Sequence, residues 1–237
     1  MTGVPDLSPL VFDIETVGLG WDTLEPDIQE YLLGRARSDE ERAAVPERLG
    51  LHPGTGRVVA IGLWRPDEDR GGVLVAVDGA GSAAAPEWRP FENGALIYRG
   101  TEVQILQEFW RYVSEAAGTL ITFNGRGFDG PFLMLRSLIL GVTPTRNLVP
   151  YRYSAREHCD LLDILTFHGV RPRDSLHFWC RRFGIPSPKG DMDGAGVEQA
   201  WREGRLDDIA RYCLQDVRAT AELYRRLQPL VAMVDRR

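Results

Sequence analysis

Cysteine, lysine and long apolar runs are what this 237-residue chain has least of. Its three cysteines, Cys159, Cys180 and Cys213, are too few and too scattered for a disulfide framework. They fit a reducing compartment, and a cytoplasmic protein is expected. No C-x2-C pair occurs. His158-Cys159 and His177-x-x-Cys180 lack the tight paired spacing of a structural zinc site, so these residues read as packing. His168 has no motif around it. The apolar run from Phe132 to Val142 is too short to span a bilayer and contains Arg136, so no membrane association is expected. No basic-plus-apolar segment opens the chain, so no secretory signal is expected. Gly54-Thr55-Gly56 lacks the Gly-Lys-Ser/Thr ending of a phosphate loop. No internal repeat is visible. What is present is a hydrophobic content of 43%, enough for a sizeable core, at a length that suits one domain over residues 1–237.

The most informative stretch is Leu10-Val11-Phe12-Asp13-Ile14-Glu15-Thr16-Val17. Read as a strand, it places Leu10, Phe12 and Ile14 on one face and Val11, Asp13 and Glu15 on the other. The two acidic positions then stand about 7 Å apart along the strand. Like charges on a buried strand are costly unless something positive lies between them, and a divalent cation is the simplest answer. An edge strand with a solvated acidic face is the bland alternative.

Two further segments bear on that choice. Thr119 to Pro131, with Asn124-Gly125-Arg126-Gly127-Phe128-Asp129 at its centre, reads as a strand, a glycine-rich turn and the start of a helix over Phe132–Leu140. Asp129 would sit near that helix N-terminus, where a plain N-cap role is the competing reading. In the last segment Ile209, Tyr212, Cys213, Asp216, Val217, Thr220, Tyr224 and Leu227 fall on one helical stripe. Asp216 therefore lies on the inward face, one turn beyond Tyr212. A buried carboxylate there needs a partner, either a cation or an arginine.

Taken in order, D-x-E, N-x3-F-D and Y-x3-D, these segments resemble the DEDDy 3′–5′ exonucleases. More narrowly they resemble stand-alone proteins similar to the proofreading domain of B-family DNA polymerases. The stretches Cys159-Asp160-Leu161-Leu162-Asp163 and Asp191-Met192-Asp193-Gly194 look like that group too, and the resemblance runs from about residue 8 to 228. It implies a ribonuclease-H-like α/β fold, and 3′-end hydrolysis of DNA or RNA to nucleoside 5′-monophosphates, with single-stranded DNA favoured. By the same resemblance Asp13, Glu15, Asp129 and Asp216 would bind two Mg²⁺ or Mn²⁺ ions, and Tyr212 would complete the catalytic set by orienting the attacking water. Asn124, Phe128 and the Glu15-Thr16 backbone would meet the terminal nucleotides, and Lys189 would lie near the active site. An inactive nucleic-acid-binding module, an oligoribonuclease-like RNA exonuclease and a phosphoesterase of small nucleotides are the alternatives.

The formal net charge of −6 is unhelpful to a nucleic-acid binder until its distribution is considered. From Pro131 to Gly190 nine basic residues face four acidic ones, a local +5 that leaves −11 for the rest. Arg136, Arg146, Arg152, Arg156, Arg171, Arg173, Arg181, Arg182 and Lys189 (the sole lysine) are expected to form a basic wall beside the site. An ordinary solvated surface is the alternative.

Along the chain, residues 8–17 are expected to form the first strand. Residues 18–50 read as a charged helical insertion, and 56–64 and 71–77 as two strands paired antiparallel for lack of a helix between them. Residues 79–90 read as a loop, Thr101 to Ala117 as a helix, and 143–157 as a second loop. Asp160 to His168 and Ser175 to Phe183 read as short helices, and about 206–228 as a long one. The fold class expected is α/β, a mixed ribonuclease-H-like sheet with antiparallel early strands, flanked by helices.

Overall fold

The computed structural model describes residues 8–78, 86–186 and 194–234. Its frame is a seven-stranded mixed sheet. The first strand, β1 (Leu10–Gly18), pairs antiparallel with β2 (Gly56–Arg65), which pairs antiparallel with β3 (Arg70–Ala76). One edge is extended by β4 (Trp88–Pro90) and β5 (Leu96–Gly100), where β5 runs parallel to β3. The other carries β6 (Leu120–Thr122) and β7 (His158–Asp160), added parallel beyond β1. The spatial order is β4-β5-β3-β2-β1-β6-β7. The ribonuclease-H-like mixed sheet expected from the sequence is therefore present. Two expectations change. The stretch read as a loop over 79–90 ends in β4, with residues 79–85 outside the described residues. A three-residue strand, β7, precedes the helix expected to begin at Asp160.

Helices cover both faces. On one lie α3 (Glu102–Glu115) and α4 (Asp129–Ile139), packed against Leu10, Phe12, Ile14, Ile61 and Leu63. On the other lie α5 (Leu161–Leu165), α6 (Leu176–Phe183), α7 (Gly194–Arg202) and α8 (Leu206–Val234), packed against Val11, Val17, Val59, Ala60 and Trp64. The period-2 alternation read from β1 thus divides the two cores as expected. The helix α3 starts at a capping box, with Thr101 and Gln104 each satisfying the other's backbone N–H. Its partner α4 begins three residues earlier than the sequence suggested, because Pro131 falls in the first turn, where a missing N–H costs nothing. The last helix, α8, continues past Pro229 to Val234. That proline is exposed, so the Arg225 carbonyl it leaves unpaired can turn to solvent.

The segment read as a helical insertion holds α1 (Pro26–Gly34) and α2 (Asp39–Ala43), between the 3-10 turns Trp21–Thr23 and Pro46–Leu51. It returns to the sheet through Gly50. A Cβ there would lie 3.0 Å from Gly18 N and Val17 C, so only glycine allows the approach. The Thr16 hydroxyl donates to the Gly50 carbonyl at 2.7 Å.

A β-bulge interrupts the β1–β2 pairing. Glu15 faces Ala60 but Thr16 faces Val58, leaving Val59 as the extra residue. The Val58 N–H donates to Glu102 Oε1 at 2.8 Å, and Arg136 on α4 donates to both Glu102 oxygens at 2.9 Å. Both charges are buried. Arg136, counted in the sequence as part of a basic wall, is instead an internal strut between α3 and α4, because its guanidinium is needed to neutralise Glu102 where water is absent.

Arg136→Leu leaves Glu102 charged and unpaired in the core. We expect a loss of about 3–5 kcal/mol in equilibrium denaturant unfolding. Glu102→Leu added to it should restore part of that loss.

Candidate active site

Four carboxylates converge where β1, α4 and α8 meet. The strand presents Asp13 and Glu15 toward α8, as its alternation dictates. Glu15 is buried, at 8% exposure, and Asp13 is half-buried. The helix α8 can come close because β2 has no side chain at Gly62, the residue directly opposite Asp13. A Cβ at Gly62 would meet Val217 Cγ1 at 2.7 Å and the Cys213 sulfur and carbonyl oxygen at 3.1 Å. Across that gap α8 brings Tyr212, Cys213 and Asp216. Tyr212 and Asp216 stand one turn apart on α8, and the Tyr212 hydroxyl is close enough to oppose the rise in the Asp216 pKa. A carboxylate oxygen of Asp13, one of Glu15 and Cys213 Sγ lie within 4.8 Å of one another, and the Cys213 thiol donates to the Asp13 carbonyl at 3.8 Å.

Asp129 enters from the glycine-rich turn. Its expected alternative role, capping α4, is not the one it takes: α4 begins at Asp129 itself, with no side-chain cap. Its Oδ1 instead accepts the Ile14 N–H at 3.0 Å, from the residue between Asp13 and Glu15. The turn before it is held by Asp160, whose two carboxylate oxygens accept the Asn124 N–H at 2.8 Å and the Arg126 N–H at 2.9 Å. The same residue caps α5 through the Leu162 N–H at 3.0 Å. Asn124 sits in the left-handed region at φ 68°, and its buried Oδ1 has no hydrogen-bond partner among the described residues. Phe128 is half-buried, its ring 5.5 Å from that of Phe132.

The electrostatics of this cluster are one-sided. Burial and mutual repulsion push Asp13 and Glu15 well above the usual carboxylate range. Burial pushes Asp129 and Asp216 up to about 7, against the hydrogen bonds each accepts. Tyr212 and Cys213 are pushed up as well, first by burial and then by the surrounding carboxylates, so both keep their protons. Among the described residues no Arg, Lys or His forms an ion pair with any of the four acids. A set of buried oxygen donors with no protein cation suits a hard divalent ion.

The sequence expectations therefore divide. Asp13, Glu15, Asp129, Tyr212 and Asp216 are brought to one place. Thr16 lies next to it with its hydroxyl committed to Gly50, and Asn124 and Phe128 flank Asp129. Lys189 lies outside the described residues. The basic stretch is thinner than its count. Arg136 is internal, the Arg146 guanidinium donates to the Ala116, Gly118 and Glu157 carbonyls, and Arg152 pairs with Asp163 at 2.6 Å. Arg171, Arg173, Arg181 and Arg182 remain exposed. His158 is a buried strut between Thr122 Oγ1 and the Leu148 carbonyl, both at 2.7 Å, and burial lowers its pKa to about 4, so it stays neutral. Asp160 and Cys213 belong to the site's surroundings, although neither drew a role from the sequence: Asp160 stood only in a stretch that resembles the family, and Cys213 only on the inward stripe. An acid following an apolar strand was the local signal available for Asp160.

A model of the family described as a predicted 3′–5′ exonuclease related to the exonuclease domain of PolB matches residues 96–237, which hold Asn124, Asp129, Tyr212 and Asp216. A DNA polymerase of Desulfurococcus sp. (strain Tok) is 29% identical over 165 residues, 63% of this chain and 21% of the polymerase. An uncharacterized protein of Methanocaldococcus jannaschii is 28% identical over 191 residues, 76% of this chain and 91% of its own length. The family B DNA polymerase of Pyrobaculum calidifontis superposes with a TM-score of 0.59 at 22% identity, covering 98% of this chain and 28% of the polymerase. The chain thus spans about a fifth of the first polymerase it matches.

Two outcomes follow from the geometry. Carboxylates whose pKa is raised on folding hold protons that the unfolded chain has released, so their contribution to stability is lost as pH rises from about 4 through about 7. In EDTA the protein should therefore be less stable to urea at pH 8 than at pH 6, and Asp216→Asn should flatten that slope. Gly62→Ala forces a methyl against Val217 and Cys213. It should cost about 1–3 kcal/mol by the same assay, and displace Asp216 from its partners.

Proposed function

Because the chain belongs to the family of predicted 3′–5′ exonucleases related to the exonuclease domain of PolB, we propose that it hydrolyses phosphodiester bonds from the 3′ end of nucleic acid. Single-stranded DNA is the favoured substrate, and nucleoside 5′-monophosphates are the products. The observation that carries this reading is the convergence of Asp13, Glu15, Asp129 and Asp216 from three separate segments into one largely buried cluster, with no ion pair to any of them among the described residues. In this reading those four residues hold two Mg²⁺ or Mn²⁺ ions. When bound, such ions lower the pKa of water and stabilise charge on the attacking and leaving oxygens of an in-line displacement.

The chain's own groups supply the rest. In this reading the Tyr212 hydroxyl, kept protonated by burial and then by the carboxylates around it, orients the attacking water beside Asp216. Ile14 N–H fixes the Asp129 carboxylate and so keeps it from swinging out of the cluster. Asn124, Phe128 and the Glu15-Thr16 backbone border the place where terminal nucleotides would lie, and Lys189, outside the described residues, is a further candidate from the sequence. Among the described residues no helix is long and apolar enough to cross a membrane. Three buried cysteines with no disulfide between them suit a reducing, cytoplasmic site of action.

A 5′-labelled single strand should shorten as a ladder with Mg²⁺ or Mn²⁺, and EDTA should stop it. Degradation that ignores EDTA, or that starts from the 5′ end, overturns the proposal. Tyr212→Phe removes one positioned hydroxyl and should lower kcat about 10- to 1,000-fold with Mn²⁺ affinity nearly intact. Asp216→Asn should abolish turnover and weaken Mn²⁺ binding in calorimetric titration. Normal turnover in Asp216→Asn would exclude it as a ligand.

A further inference from the structure

The loop between α4 and β7 exposes more aromatic surface than a folded chain leaves to water without use. Tyr151 is 71% exposed and Tyr153 60%. Their rings touch edge to face at 5.7 Å, and Tyr153 rests on the His168 ring at 4.9 Å. The loop is not loosely held. Arg126, from the glycine-rich turn, donates to the Pro150 carbonyl at 2.6 Å, to Ser154 at 3.1 Å and to His158 at 2.7 Å. The backbone that carries the two tyrosines is therefore anchored to the turn that carries Asn124 and Asp129.

Between loop and turn lies an open cleft of about 180 Å³. Gly127, two residues before Asp129, forms one wall, and Arg152 and Arg173 form another. The acids in the cleft are spoken for. Asp160 accepts three backbone N–H groups, and Asp163 pairs with Arg152. Arg173 is exposed and has no ion pair among the described residues. Two exposed rings flanking Arg152 in the loop, the cleft that Arg152 lines together with the exposed Arg173, and Gly127 of the Asp129 turn on that same cleft are the features of a track for unpaired bases and their phosphates. A duplex could not use the rings, since its bases are already stacked and paired.

We propose that Tyr151, Tyr153 and Arg173 form a track for single-stranded nucleic acid, on which the strand behind the 3′-terminal nucleotides stacks before it enters the carboxylate cluster. This rests on the exonuclease reading for the direction of the strand, but the track itself is tested by binding alone. The probe is a fluorescein-labelled twelve-residue oligothymidylate in EDTA, followed by anisotropy, with oligouridylate as a second arm. Tyr151→Ala with Tyr153→Ala should weaken binding about 10- to 100-fold, the loss expected for one or two stacked bases. The matching pair of phenylalanine substitutions keeps the rings and should bind as the wild type does. Arg173→Gln, a surface change that leaves the loop's anchors alone, should lower the slope of log Kd against log salt by about 0.7–1.

Wild-type protein that fails to bind either strand overturns the track. So does an alanine pair that binds within about twofold of it, or an Arg173→Gln salt slope equal to the wild type's. Wild-type protein that binds the strand but cleaves nothing with Mn²⁺ overturns the exonuclease reading and leaves the track standing. Cleavage by the wild type with unaltered binding by the alanine pair overturns the track alone.

Discussion

The close approach of α8 to the sheet over Gly62 is the contact on which the site depends. Glycine is a poor strand residue, with nothing to pack and more freedom to lose on folding than any other. At this one position the absence of a side chain is what matters. It lets a helix backbone settle against the strand next to β1, directly across from Asp13. A helix held off by even one methyl would carry Tyr212 and Asp216 away from the strand acids. The bulge at Val59 acts on the same junction from the other end. It resets the register just after Glu15, and the N–H next to the extra residue is taken by Glu102 on the opposite face. Carboxylate cluster and hidden ion pair are thus two sides of one irregular strand pair.

The distribution of charge follows a division of labour. Carboxylates with no ion pair among the described residues are concentrated at the sheet's α8 face, where Tyr212 and Cys213 beside them are held in their protonated form. The arginines nearby do other work. Arg126 and Arg146 each spread one guanidinium over several loop carbonyls, and Arg136 cancels Glu102. The planar, multi-donor guanidinium suits tying irregular backbone together far better than a lysine amine would. Much of the positive charge seen in the sequence is therefore spent inside the fold, which leaves only a few exposed arginines to meet a phosphate backbone.

What could be read in advance was whatever periodicity reveals. The two faces of β1, the inward stripe of α8 and the helix after the glycine-rich turn each follow from spacing alone, whereas the grouping of the four acids with Tyr212 came from the resemblance carried by the three motifs in order. The short strands β4, β5 and β7 were not legible, because three to five residues are too few for alternation to stand out. Nor was the role of Arg136, since a count of charges cannot tell a residue facing water from one facing Glu102, 34 positions away in the chain. The role of Asp160 escaped notice for a related reason. Its work is to hold backbone amides 34 and 36 residues away, and no local pattern encodes that.

The turn that Asp160 holds also contains an Asn-Gly pair, the sequence most prone to age chemically. Deamidation begins when the glycine nitrogen attacks the asparagine side-chain carbonyl and closes a five-membered ring. Here the Gly125 N–H is engaged by the Thr122 hydroxyl at 3.1 Å. Asn124 is fixed at φ 68° by the bond from its own N–H to Asp160. Gly125 is itself buried, and a Cβ in its place would lie 2.5 Å from Thr122. Ring closure would have to break this packing, so the fold that shapes the site also preserves Asn124 as an amide. Were that protection to lapse, the product would be a further carboxylate beside Asp160 and Asp129, in a place already crowded with them.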